Sequence, residues 1–215
     1  MQLKTRVKVN SVTNLSDARY FATFAEWAGF NFNPNDAHYI SLITARELIG
    51  WMSGPRIIGE FGTAPLENIN KTVEMLSLDS IQTDYAVDYK LLTPQISSII
   101  RQVFITPMTK AEELTTILLK EAPYTAYFLL NFTPTAHRMS WDDLLKPDTL
   151  ISPAFLKQIC ADYNILLQLP FSAANVLTIV NELAPAGIAL DGGMEIKTGI
   201  RSFDEVADLI ELLEV

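Results

Sequence analysis

The chain has 215 residues, 49% of them apolar, which is enough for one sizeable core in one long α/β domain spanning 1–215. Its net charge of −9 and pI of about 4.7 argue against a general nucleic-acid surface, which needs clustered Lys and Arg to displace counterions. A single cysteine, Cys160, excludes an internal disulfide, and no run approaches the roughly 18 apolar residues of a membrane span. Residues 1–7 contain no signal-peptide-like apolar stretch, so a soluble, cytoplasmic protein is expected.

Short β-type runs alternate with longer helical patterns throughout, as in successive βα units around a parallel sheet. The first strand is expected over 6–9. Asn14, Ser16 and Asp17 then offer caps for a helix with an apolar stripe at Ala18, Phe21, Ala22 and Ala25, ending near Gly29. Strand two falls at 30–32 and its helix at 44–52. Strand three covers 56–61, with a helix over 65–76 that has Pro65 in its first turn. Strand four is 80–83, followed by a helix over 94–101; strand five is 103–106, with a helix over 110–120. Strand six is 126–131, and a long irregular stretch over 132–149 precedes the helix at 152–163. Strand seven (165–168), a helix (172–183), strand eight (187–190) and a last helix (203–213) complete eight units. This predicts a single (β/α)8 TIM barrel, with an open doubly wound sheet as the structural rival.

In a barrel all strand C-termini share one face, where such folds carry their sites. The expected strand ends hold Asn10, Asn33, Glu60 or Gly62, Thr83 with Asp84, Thr106, Asn131, Gln168 and Asp191. A polar rim over an apolar core is a ligand-binding pattern, although strand ends that meet solvent tend to be polar anyway.

The run Val7-Lys8-Val9-Asn10-Ser11-Val12-Thr13-Asn14-Leu15-Ser16-Asp17-Ala18 resembles V-K-I-C-G-L-T-N-x-x-D-A, the opening motif of the phosphoribosylanthranilate isomerase family of tryptophan biosynthesis. The segment from Gly29 to Ser41 resembles the family's G-F-x-F-x-P-x-S-P-R-Y-I-S. Leu78-Asp79-Ser80-Ile81-Gln82 resembles L-D-x-V-Q, and the segment from Asp191 to Arg201 resembles S-S-G-V-E-x-x-P-G-x-K. These matches are ordered, correctly spaced and cover almost the whole chain. The resemblance implies a closed barrel and an Amadori rearrangement of a phosphorylated aminoribose, with no cofactor.

Matches fall on framework positions such as Lys8, Thr13, Asn14, Asp17, Gly29 and Gln82, whereas the chemical positions differ. The family's base is the motif cysteine, here Asn10, and its acid is an aspartate after strand six, here Asn131. Acid and base groups contribute about 10²–10⁴-fold each, so losing both implies lost or strongly altered activity. The arginine expected to meet the anionic substrate is His38, a weaker anchor than a guanidinium fork. The resemblance also assigns Gln82, Gln168, Gly192, Gly193 and Glu195 to ligand binding. After strand seven the family's A-G-G-L aligns with Gln168-Leu169-Pro170-Phe171, where proline lacks an N–H and the bulky neighbours block close backbone approach. Asp191 sets a carboxylate where a phosphate would sit.

Replacement acid–base groups could come from Asp84, Asp191, Glu60 and His38, with His137 on the long loop after strand six. The plainer alternative makes these solvated rim charges or hydrogen-bond partners of the asparagines. No spacing forms a metal motif, and Cys160 and the three tryptophans read as packing residues. Three functions stay open. The first is an isomerase-like barrel without the isomerase reaction, binding a small polar ligand such as a sugar phosphate. The second is an active isomerase with relocated proton carriers, and the third a non-catalytic interaction module. A monomer or homodimer is expected, without nucleic-acid or membrane partners.

Overall fold

The computed structural model describes residues 1–191, 194–197 and 200–215, with the backbone alone described for 194–197 and 200–202. Eight parallel strands pair in chain order: β1 (Arg6–Asn10), β2 (Trp27–Asn31), β3 (Arg56–Glu60), β4 (Ser80–Thr83), β5 (Ser98–Phe104), β6 (Tyr127–Asn131), β7 (Ile165–Gln168) and β8 (Gly187–Asp191). The last returns to the first over five residue pairs, from Arg6–Gly187 to Asn10–Asp191, so the sheet closes. This is a (β/α)8 barrel, and the open-sheet rival is excluded.

The outer layer holds α1 (Leu15–Phe21), α2 (Leu42–Trp51), α3 (Leu66–Leu76), α4 (Ala111–Glu121), α5 (Trp141–Leu144), α6 (Pro153–Asp162), α7 (Val176–Leu183) and α8 (Asp204–Leu213). Their starts are written locally. Asn14 and Ser152 accept the Asp17 and Phe155 backbone N–H groups, and Ser140 forms a reciprocal capping box with Asp143. Pro65 precedes α3 as its cap instead of sitting inside the first turn.

Three expectations need correction. The helix expected at 94–101 is absent: β4 and β5 are joined by a single 3-10 turn, Tyr89–Leu91, and residues from Ser98 onward are strand. The run Ile99-Ile100 and Val103-Phe104 has β-branched and aromatic character that suits a strand buried between β4 and β6. Strand two begins at Trp27, so Gly29 lies inside the barrel wall instead of stopping a helix. A Cβ at Gly29 would sit 1.9 Å from Glu60 Oε1, so this glycine is required by a close approach. Between β8 and α8, β9 (Met194–Lys197) and β10 (Ile200–Ser202) form an antiparallel pair that the sequence pattern did not suggest.

Two apolar layers join sheet and helices. One lies under α1–α3 and α8 and includes Phe21, Ile69, Val73 and Leu209; the other lies under α4–α7 and includes Leu114, Leu144, Leu156 and Ile179. A third cluster fills the lower barrel: Trp27, Ile58, Ile100, Leu129, Leu166 and Ala189. Arg6 closes the floor, donating to the Tyr127 hydroxyl and Ala186 carbonyl and lying 5.6 Å from the Trp27 and Tyr127 ring centres. Among the described residues no helix is long and apolar enough to cross a membrane.

Candidate functional site

Side chains alternate along a strand, so each inward position recurs every two residues. Above the apolar cluster, every strand presents an inward amide or carboxyl group near its C-terminal end: Asn10, Asn31, Glu60, Gln82, Gln102, Asn131, Gln168 and Asp191. They surround a cavity of about 370 Å³ at the C-terminal mouth, also lined by Asn33, His38, Gly62, Asp84, Phe104 and Thr133.

The β1–β3 side is built on an ion pair. Lys8 is completely buried, and its ammonium lies 2.5 Å from Glu60 Oε1 and 2.5 Å from Asn10 Oδ1. Ser11 donates to Glu60 Oε2 from its backbone N–H (3.1 Å) and hydroxyl (2.9 Å). Ser11 has φ +50°, a left-handed conformation, at the position where the resembling motif has glycine. Its two hydrogen bonds to a carboxylate offset that strain. The ion pair reaches from β1 to β3 across β2 where Gly29 carries no side chain.

Asn10 Nδ2 donates to Asp191 Oδ1 at 3.1 Å, and Gln168 Nε2 reaches the same oxygen at 3.0 Å. Across the ring, Gln102 donates to Asp84 Oδ1 (2.8 Å) and accepts from Gln82 (3.2 Å) and Asn131 (3.5 Å). Asn131 Oδ1 accepts from the Thr133 backbone N–H and hydroxyl. Asp84 has its carboxyl pushed above the usual carboxylate range, chiefly by burial; Glu60 and Asp36 add to this, while the Gln102 hydrogen bond and Arg101 oppose it.

The structure brings Asn10, Asn131, Glu60, Asp84, Asp191, Gln82, Gln168 and His38 to one cavity. The expected Thr106 instead closes a turn with Thr109 beyond β5, and Gln102 and Phe104 hold the inward positions of that strand. Asn31 ends β2, with Asn33 two residues beyond it. Gly192 and Gly193 lie outside the described residues, as does the side chain of Glu195. Sequence reasoning missed Asn31, Gln102 and the role of Lys8. The Ile99-Ile100 run was the available signal for Gln102.

The loop after β7 offers little to an anion. Leu169 is buried, Pro170 has no N–H, Phe171 N–H is bonded to the Leu169 carbonyl, and Ser172 N–H to Asn175 Oδ1. A second, larger cavity of about 800 Å³ adjoins this loop and α8; it carries Asp191, Asp204, Glu205 and Asp208 against Arg138. The smaller cavity is the better site candidate, because strand-borne side chains converge on it. Among the described residues no group of three or more His, Cys, Asp or Glu side chains could hold a metal ion. Burial pushes the Cys160 thiol up to about 12, which removes it as a nucleophile near neutral pH.

Fold and rim together define a (β/α)8 barrel with a carboxamide-lined mouth. Solved phosphoribosylanthranilate isomerases have the same shape. The Thermotoga maritima structure is 20% identical, with a TM-score of 0.76 over 96% of this chain and 97% of that one. The Thermococcus kodakaraensis structure is 18% identical, with a TM-score of 0.75 over 97% and 98%. An isomerase in complex with reduced 1-(o-carboxyphenylamino)-1-deoxyribulose 5-phosphate is 20% identical, with a TM-score of 0.71 over 96% and 97%. No protein-family model and no curated protein matches the chain. At these identities the likeness establishes the fold alone.

Proposed function

We propose that this chain is a phosphoribosylanthranilate isomerase-like barrel that no longer performs the rearrangement and binds a small polar molecule at its mouth. The observation that carries this reading is the state of Asn10 and Asn131. Each stands where the resembling family places a proton carrier, and each is a buried carboxamide held by neighbours on both its oxygen and its nitrogen. A carboxamide orients a ligand but does not exchange protons near neutral pH. The Phe171 and Ser172 N–H groups after β7, both already bonded within their own loop, support the same view. In this proposal the protein works in the cytoplasm, as a monomer or homodimer, without nucleic acid. The test has two parts: turnover of phosphoribosylanthranilate with complementation of a tryptophan auxotroph lacking the isomerase, and binding of the reduced product analogue. No turnover and no phosphate-dependent binding are expected; robust complementation sinks the proposal.

One observation favours a second reading, an active isomerase with relocated groups. Asp191 touches Asn10 directly, and Asp84 connects to Asn131 through Gln102. Asp191 would then be the base and Asp84, with its raised carboxyl, the acid. Turnover that disappears in both Asp191→Asn and Asp84→Asn selects this reading. Glu60 is the weakest of the three candidates, since Lys8 and Ser11 already occupy both its oxygens.

A further inference from the structure

We infer that Ser11 is a nucleophile, and that the mouth cleaves small acyl esters with good leaving groups by way of an acyl-Ser11 intermediate. This adds a chemistry to the binding role proposed above, and it uses neither Asn131 nor the loop after β7.

Backbone and hydrogen bonds carry the inference together. Ser11 directly follows β1 and has φ +50°, a left-handed bend on the path from β1 to α1. Glycine is at ease in that conformation and serine is strained. What serine brings is a hydroxyl, and its Oγ donates to Glu60 Oε2 at 2.9 Å. Ser11 is half-buried and lines the cavity, so the hydroxyl stands at the wall of the mouth against a carboxylate on a residue only 5% exposed. A strained strand-to-helix bend of this kind also presents the serine in the nucleophile elbows of hydrolases.

An activated nucleophile lies within hydrogen-bond reach of a base, and a third group orients that base. Lys8 is the third group: its ammonium is 2.5 Å from Glu60 Oε1, while the Ser11 N–H holds Oε2 at 3.1 Å. With both oxygens so engaged, Glu60 acts on a substrate through Ser11. In the reaction Ser11 Oγ attacks the acyl carbon and its proton passes to Glu60. The bond to the leaving oxygen or sulfur breaks, and Glu60 gives that atom the proton. Water then attacks the acyl carbon and yields a proton to Glu60, which returns it to the departing Ser11 oxygen. Two features restrict the substrate. A carboxylate is a weaker base than the imidazole of a serine triad. The N–H after the nucleophile, that of Val12, is bonded to the Gly29 carbonyl at 2.7 Å instead of facing an oxyanion. The leaving group must therefore depart easily, as phenolates and thiolates do and amines do not. The cavity of about 370 Å³ suits a short acyl chain.

The test treats the full chain with p-nitrophenyl acetate and reads both p-nitrophenolate release and, by intact mass with peptide mapping, the position of the acetyl group. The parent is expected to release phenolate about 10²-fold or more faster than Ser11→Gly, and to carry acetyl on Ser11. Glycine suits φ +50°, so Ser11→Gly keeps the fold, which thermal unfolding checks. Lys8→Met with Glu60→Gln removes the base without leaving a buried ammonium alone, and should slow release about as much as Ser11→Gly. Equal release from parent and Ser11→Gly, acetyl on lysines only, or a parent no faster than buffer overturns the proposal. Undiminished Ser11 acetylation in the double variant overturns the role of Glu60. Each outcome is separate from the isomerase test, which reads turnover of phosphoribosylanthranilate.

Discussion

The floor and the mouth of this barrel are built on the same strands, two to four residues apart. Trp27 gives way to Asn31, Ile58 to Glu60, Ile100 to Gln102, Leu129 to Asn131, Leu166 to Gln168 and Ala189 to Asp191. The floor is held by volume and apolar contact, which have little directional demand. The mouth is held by donors and acceptors, where each group dictates the orientation of the next. A floor substitution is therefore a local loss of packing, while a mouth substitution propagates along the belt.

The largest expected effect tests that contrast at the ion pair. Lys8→Met leaves Glu60 buried without its cation and should cost about 3–5 kcal/mol in urea unfolding. Adding Glu60→Met, which converts this part of the mouth into floor, should restore most of the loss. A double variant no more stable than Lys8→Met would show that the pair is not the controlling interaction. In the floor, Leu129→Ala should cost about 2–5 kcal/mol and leave ligand affinity at the mouth unchanged, read by the same unfolding curves and by titration. A change in affinity would mean that floor and mouth are coupled.

Gly29→Ala tests the boundary between them. Its methyl must displace the Glu60 carboxylate, so a loss of about 1–3 kcal/mol is expected, and Glu60→Ala should suppress the additional cost of the methyl. The smallest effect concerns pH. Burial raises Asp84 in the folded protein, so its protonation favours the fold. That contribution is fully present below the unfolded carboxyl pKa and is lost as pH rises through the folded value. Asp84→Asn should therefore gain stability relative to the parent on going from pH 4 to pH 7. A flat difference across that window would refute the assignment.

Much of the barrel was legible because strand and helix differ in apolar period and because caps such as Asn14 and Ser152 are local. Strands four and seven matched residue for residue. The misread elements fail for reasons that are not local. Gly29 looks like a helix stop until Glu60, 31 positions later, is known to fill its missing side chain's place. Pro94 reads as a helix start, and only burial between neighbouring strands makes Ser98–Phe104 a strand. Those two errors hid Asn31 and Gln102. The rim itself was visible as polar strand ends, but its polarity was not, because amide orientation depends on which carboxylate each amide meets.

The belt is also stitched between the two ends of the chain. Asn10 and Asp191 are joined across 181 positions, and β1 meets β8 only at closure. Bringing such distant segments together is the slow, entropically demanding part of folding. Asn10 and Gln168 share the Asp191 carboxylate, so this part of the mouth exists only once the eighth strand has closed the barrel against the first.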